Sequence, residues 1–217
     1  MNSQENFNLN NYISMFRARG FRLLIEYFLF NHLFDIIHKT DTHSWSHNSK
    51  NIENEIYMAT WIKDVKKSSQ LLEKYIKKPI EEYDLYDLGS GKGKVLISWS
   101  KIFPNHHSIN GIEIDEELFN IANKNFNKLK IFNINNYLSD VLSFNFYKKS
   151  NIIFFMYNPF GEQTLKKFFT QNKFIDSYVI YHNPKYHKIM LKFGFSCIYE
   201  YQNYRNGSSF KIYKGIN

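Results

Sequence analysis

Acidic side chains, closely spaced glycines and an Asn-Pro pair stand where the apolar runs of this chain give out. The densest group is DLGSGKG, Asp87 to Gly93, in which Gly89, Gly91 and Gly93 alternate with Ser90 and Lys92. Glycines let a ligand approach the backbone more closely than a side chain would permit, and the start of a helix offers unpaired N–H donors. The group therefore predicts a seat for a nucleotide or a carboxylate. It does not fit a Walker loop, which needs a longer spacing before its GK and a Ser or Thr after it, because Val95 follows Lys94. A dinucleotide fingerprint also fails: its third glycine falls on Lys94 counted from Gly89, or on Leu96 counted from Gly91.

Further groups follow at the same kind of boundary. Glu113 closes the run HSINGIE, and a carboxylate at the end of a second strand can accept hydrogen bonds from two ribose hydroxyls. Asp115 reads as the N-cap of the next helix. Asp140 opens DVLSF after a third strand, where its carboxylate can accept an adenine amino proton while Val141 or Leu142 packs on the ring. The run IIFFM ends in YNPFG, where Pro159 and Gly161 stop regular structure and Tyr157, Asn158 and Phe160 line the edge. Asn158 can orient an amine or amide, and Phe160 can close a pocket.

These positions need elements to hold them. From Leu85 onward the pattern alternates strand and helix. Candidate strands are Tyr83 to Asp87, Ser108 to Ile114, Lys130 to Asn135, Asn151 to Tyr157, Ser177 to His182, Phe195 to Tyr201 and Ser209 to Lys214, with helices beginning near Lys92, Glu116, Glu162 and Lys185. The pattern predicts a mainly parallel α/β sheet that closes with an antiparallel hairpin near Asn206 and Gly207. Upstream, Glu53 to Lys78 carries a helical apolar period, and its beginning is placed to shape the ligand mouth. YISMFRARGFRLLIEYFLFNHLFDIIHK reads as one or two amphipathic helices whose interruptions by Glu26, Asn31 and His32 argue against a membrane span. The polar connector Thr40 to Asn51 holds His43, Trp45 and His47. No HExxH pattern accompanies the two histidines, so no metal site is expected there.

The 217 residues, 43% of them hydrophobic, suffice for one substantial core with an appendage: an N-terminal helical extension and substrate-side cap over 1–78, and a core over 79–217. Aromatic residues make up 18%, too many to remain at the surface, so many must be buried. The formal charge of +8 permits an acidic or nucleic-acid partner, although the lysines are scattered among Asn and Ile as a compositional bias would scatter them. A single cysteine, Cys197, excludes an intrachain disulfide; in FSCIYE it reads as a small buried residue suited to a reducing interior. No signal-peptide pattern opens the chain, and a cytoplasmic protein without stable membrane insertion, monomeric or weakly dimeric, is expected.

The ordered set of groups resembles the class I S-adenosylmethionine-dependent methyltransferases over roughly Met58 to Lys214. The resemblance implies a Rossmann-like, seven-stranded, mostly parallel sheet with a final antiparallel strand, S-adenosyl-L-methionine as cofactor, and no metal. It implies that Asp87 orients the glycine loop or the methionine amine, that Gly89, Gly91 and Gly93 lie along the cofactor, and that Ser90 meets its carboxylate. Glu113 is then the ribose acid, and Asp140 with Val141 the adenine edge. Tyr157, Asn158 and Phe160 form the catalytic edge. YNPF is similar to the NPPY or NPPF of amino-methyltransferases but has one proline where those have two, which shifts its aromatic by one place. FDIIHKTDTHSW and IYHNPKY also resemble a small bacterial group carrying YNPFG, which implies that Asp41, Thr42, Tyr57, Tyr181 and Asn183 approach the site.

Methyl transfer from a sulfonium requires mainly that donor and acceptor be aligned and water excluded. A protonated amine acceptor would first lose a proton to Tyr57, Tyr157, Tyr181, His182 or solvent. A small-molecule nucleophile is the favoured acceptor. Protein-lysine or other protein side-chain methylation comes next, then nucleic-acid amino-methylation, a noncatalytic cofactor-binding protein, and a nicotinamide-dependent oxidoreductase.

Overall fold

The computed structural model describes residues 13, 16–17, 20–22, 25, 28–42, 60–147, 150–203 and 208–215. A short π-helical turn, Phe28–His32, leads into α1, Leu33–His38, which stops where Lys39 takes a left-handed conformation. After α2, Ile62–Leu72, come β1, Asp84–Leu88; α3, Lys94–Ile102; β2, Ile109–Glu113; α4, Glu116–Leu129; and β3, Ile134–Leu138. The chain continues through β4, Ile152–Met156; α5, Glu162–Gln171; β5, Tyr178–His182; α6, His187–Lys192; β6, Phe195–Asn203; and β7, Ser208–Gly215.

The strands form one seven-stranded sheet in the order β3-β2-β1-β4-β5-β7-β6, with the first five parallel and β7 antiparallel to both of its neighbours. This is the expected Rossmann-like architecture with helices before it. The chain works outward from β1 to β3 and then returns to β4 on the other side of β1. The order therefore reverses between β1 and β4, and in open parallel sheets the crevice at such a reversal receives ligands.

The central strands are continuous apolar runs because both sheet faces are covered. Alternate residues serve opposite faces. Leu85, Phe155 and Ile180 pack with Val65 and Leu72 of α2, Leu96 and Trp99 of α3 and Phe126 of α4. Tyr86, Phe154 and Tyr181 pack with Phe168 of α5 and Met190 of α6. Among the described residues no helix lies between β3 and β4. The connection instead drives Phe146 into the second face, 5.1 Å from Tyr86, 5.3 Å from Phe174 and 5.9 Å from Phe168, centroid to centroid. Much of the high aromatic content is used in this way.

Some expected bounds shift for local reasons. The helix read over Glu53 to Lys78 is helical at Ile62–Leu72; residues 73–78 leave it, and residues 51–59 lie outside the described set. The third strand starts at Ile134 rather than Lys130, because Lys130 is the left-handed C-cap of α4: its N–H donates to Asn127 O, and the following Ile131 N–H donates to Phe126 O. Asp115 is the N-cap of α4 as its sequence signalled, accepting from Glu117 N at 2.9 Å and Leu118 N at 3.0 Å. Cys197 is half-buried, not buried, and sits where the β6–β7 register slips between Cys197 and Tyr199. Asn206 and Gly207 lie outside the described residues.

Candidate functional site

The glycine loop leaves β1 and folds back over the end of β2. Gly89 N and Ser90 N donate to Ile112 O at 2.9 and 3.1 Å, and Gly93 N donates to Ser90 O at 2.9 Å. Gly91 N donates to Glu113 Oε2 at 2.7 Å. The space beside two of the glycines belongs to the protein itself. A Cβ on Gly89, at φ +73°, would stand 2.5 Å from Pro159 Cβ, and one on Gly93, at φ +80°, 2.5 Å from the Phe126 ring. The first contact seats the loop after β4 on the loop after β1. The second seats α3 on α4. Both positions tolerate only glycine, because a side chain would combine left-handed strain with overlap.

Glu113 is buried at the end of β2 and organises the turn around it. Its Oε1 accepts from Ile114 N and Asp115 N, both at 2.9 Å, and Oε2 accepts from Gly91 N. Two carboxylate oxygens offer about four acceptor sites, so Oε2 keeps one for a further donor such as a hydroxyl. Burial raises the pKa of Glu113, and these three backbone donors pull it back. Asp87 lies beside it, 3% exposed; burial holds its carboxyl well above the ordinary range, and the Glu113 charge pushes in the same direction. Two adjacent buried carboxyls make this loop a poor host for a pyrophosphate and a good one for a cation.

Asp140 stands exposed after β3, its Oδ1 accepting from Leu142 N at 2.9 Å, while Val141 is buried beside it. Ser139 N donates to Glu113 O at 2.8 Å, which joins the ends of β2 and β3. Ser90 is buried, with its hydroxyl 3.4 Å from Asn136 Oδ1. All these residues stand at the carboxyl edge of the sheet.

On the other side of the reversal, Asn158, at φ +47°, donates from Nδ2 to Asn183 O at 2.9 Å, and its Oδ1 accepts from the Tyr181 hydroxyl at 2.8 Å. Asn183 Nδ2 donates to the Tyr157 hydroxyl at 2.7 Å, and Asn183 Oδ1 accepts from Ser209 N at 2.9 Å. Tyr157 and Asn158 are thus held in one network joining β4, β5 and β7. Asn158 still has an acceptor and a donor site to offer. Burial raises the Tyr157 pKa, with the Asn183 bond opposing and the Asp64 charge assisting. Phe160 goes elsewhere: it is buried in the core layer against Phe168, 6.3 Å between centroids.

His182 lies under α2, its ring 4.7 Å from Phe155 and stacked 5.3 Å from Phe210. Burial lowers its pKa to about 3, so it is neutral. Ser68 Oγ has one proton, which it gives to Val65 O at 3.1 Å; at 3.0 Å the His182 Nε2–H therefore donates to Ser68. A neutral imidazole already committed in this way is a structural group. Tyr57, His43, Trp45 and His47 lie outside the described residues.

The residues that sequence reasoning missed are polar side chains on apolar helix faces. Asp64, Ser68 and Ser69 share the buried stripe of α2 with Val65 and Leu72, and Asn125 shares that of α4 with Leu118, Ala122 and Phe126. A polar residue at an apolar period was the available signal. Pro159 against Gly89 and the burial of Lys92 had none. Among the described residues no group of three or more His, Cys, Asp or Glu is arranged to hold a metal ion, and no helix is long and apolar enough to cross a membrane.

No protein-family model matches the chain, and no curated protein matches it in sequence. Solved structures do match in fold. A candidate RNA methyltransferase from Pyrococcus horikoshii aligns over 86% of this chain and 98% of its own, at a TM-score of 0.56 and 18% identity. The ribosomal protein L11 methylase from Lactobacillus delbrueckii subsp. bulgaricus aligns over 69% and 77%, at 0.51 and 16%. Magnesium protoporphyrin IX methyltransferase from Synechocystis PCC 6803, with bound SAM, aligns over 71% and 79%, at 0.51 and 13%. The chain has the class I S-adenosylmethionine-dependent methyltransferase fold.

Proposed function

We propose that this chain is an S-adenosyl-L-methionine-dependent methyltransferase acting on a small-molecule nucleophile. The observation that carries the reading is the pair of buried carboxyls, Asp87 and Glu113, on either side of the glycine loop at the sheet's reversal point. That pair suits a ligand bearing ammonium and sulfonium charges and opposes an anionic dinucleotide. The residues fit the cofactor: Glu113 has one acceptor site for a ribose hydroxyl, and Asp140 uses only Oδ1 among the described residues, leaving Oδ2 for an adenine amine. Gly89 is the exposed residue of an otherwise buried loop.

The bound cofactor supplies a methyl already activated on sulfur. The chain's own residues then hold and align. Asp87 faces the methionine amine, Ser90 and the loop the carboxylate, and Val141 the adenine ring. Asn158, locked by Tyr181 and Asn183, orients the acceptor, and the Tyr157 hydroxyl, accepting from Asn183, can pass a proton outward. Phe160 supports this edge from the core instead of covering it. Asp41 and Thr42 meet the glycine loop and α1 rather than the acceptor edge.

A small-molecule acceptor agrees with a described chain taken up by the sheet and its flanking helices. Protein side-chain methylation is the second reading, since the same fold serves the L11 methylase. Transfer from methyl-labelled cofactor to separate pools of small molecules, protein and RNA tests both: label in the small-molecule pool is expected, and label confined to protein or RNA replaces that acceptor. Asn158→Ala is expected to cut transfer at least tenfold while S-adenosylhomocysteine affinity stays within about twofold. Unchanged transfer removes Asn158 from the catalytic edge. A protein stabilised by NAD and not by S-adenosylhomocysteine overturns the whole reading.

A further inference from the structure

Lys92 lies between two glycines of the loop after β1, where a lysine would be expected to reach into water, yet its side chain is 2% exposed. Its Nζ donates to Asp41 Oδ2 at 2.9 Å, and Asp41 belongs to the segment just after α1. The backbones of the two residues are joined as well. Asn125 of α4 donates from Nδ2 to Asp41 O at 2.8 Å and to Lys92 O at 3.1 Å, while its Oδ1 accepts from Asp41 N at 3.0 Å. Asn125 is itself 1% exposed.

The segment carrying Asp41 is rigid in its own right. Asp35 is buried and accepts from the Thr40 hydroxyl at 2.6 Å, from Thr42 N at 2.9 Å and from the Thr42 hydroxyl at 2.9 Å. Lys128 Nζ donates to Lys39 O at 2.7 Å. Residues 35–42 are thus knotted internally and clamped to the glycine loop by one ion pair and one amide that reads both backbones. Gly93, the next residue of the loop, packs on Phe126, the neighbour of Asn125. Loop, segment and α4 meet at a single junction.

We propose that Asp41 and Asn125 are positioning residues of the cofactor loop, so that the segment 35–42 is a working part of the cofactor site and senses a ligand bound there. Neither side chain touches the cofactor in this scheme; both act through Lys92 and its carbonyl. Only the lysine side of the pair is buried, Asp41 being 40% exposed; separating the two would leave the Lys92 ammonium buried without this carboxylate, and that cost fixes the geometry. Because Gly91 N and Lys92 O are adjacent in the loop, a shift of Lys92 also moves the donor that engages Glu113. The inference rests on the methyltransferase reading.

The probe is S-adenosylhomocysteine, measured by calorimetry on the full chain. Asp41→Asn and Lys92→Met are each expected to weaken its binding by about fivefold or more, within the usual range of coupling between sites. The double variant should be no worse than the weaker single, because the pair acts as a unit. Lys166→Ala, at a surface pair with Glu162, should bind as the wild type does. Independent effects of the two substitutions, or a loss of thermal stability with unchanged affinity, overturn the proposal. Amide exchange gives a second reading that needs no variant. Ligand should slow exchange at Thr40, Asp41 and Thr42 in the wild type, and unchanged exchange there overturns the proposal even where Lys92→Met fails to fold. Absence of binding to the wild type would instead remove the methyltransferase reading on which the inference stands.

Discussion

Substituting Gly93 by alanine tests the packing of the glycine loop without any ligand. The new methyl would lie 2.5 Å from Cε1 and Cζ of Phe126 and 3.2 Å from Ala122 Cβ, at a residue held at φ +80°. Phe126 is 5% exposed, so its ring has no solvent side to swing into. Left-handed backbone at an alanine costs about 1–2 kcal/mol, and overpacking a filled core about 1–3 kcal/mol. Together they predict a loss of about 2–5 kcal/mol, read from urea unfolding by linear extrapolation with unchanged slope. Gly111→Ala separates the two contributions. Its Cβ would meet Leu96 Cδ1 at 2.5 Å and Ser90 Oγ at 2.9 Å with no positive φ to oppose it, so only the contact cost of about 1–3 kcal/mol applies. Repeating Gly93→Ala in a Phe126→Leu background should return the contact part and leave the strain, a coupling of about 1–3 kcal/mol. A loss below about 0.5 kcal/mol, or one of the same size in both backgrounds, would falsify the account of this turn.

Three other outcomes follow from the same structure. The His182 pKa is lowered to about 3 by burial, below its unfolded value near 6.5. The unfolded state then takes up the proton first, so stability present above about pH 6.5 is lost toward pH 3, at up to about 1.4 kcal/mol per unit; a wild-type minus His182→Phe difference that stays flat between about pH 7 and pH 4 contradicts this. Asp87, raised by burial, should release a proton when a cationic ligand binds. Calorimetry in buffers of different ionisation enthalpy should therefore show an observed enthalpy that varies with the buffer, affinity measured at several pH values should rise with pH, and Asp87→Asn should abolish both; release that persists in this variant points to another group. Phe146→Ala should cost about 3–5 kcal/mol in denaturant unfolding, since the ring stands in for a helix between β3 and β4; a cost under about 1 kcal/mol would show that the face closes without it.

The strand pattern was legible because both faces of the central sheet are covered, which leaves IIFFM and YVIYH as unbroken apolar runs between polar turns. The cap at Asp115 was legible because capping is a local bond. The third strand was read four residues early, since β3 is a polar edge strand, INNYL, with little contrast against the loop before it. Phe160 was read as a pocket wall because its neighbours Tyr157 and Asn158 line the edge. Which way a ring turns after a proline is decided by α5, and there Phe168 takes it into the core.

By itself the sequence determined the order of strands and helices, the alternation that buries them, and the carboxylates and glycines at strand ends, because each of these is written within a few residues. Tertiary structure alone decided what those groups meet. It placed Pro159 against Gly89, Phe126 against Gly93 and Asp41 on Lys92, and these are contacts between segments as much as 70 residues apart along the chain. No local pattern encodes such pairs. They exist because a parallel sheet brings the ends of β1, β2 and β4 to one edge, where each missing side chain is measured by whatever the fold has set beside it.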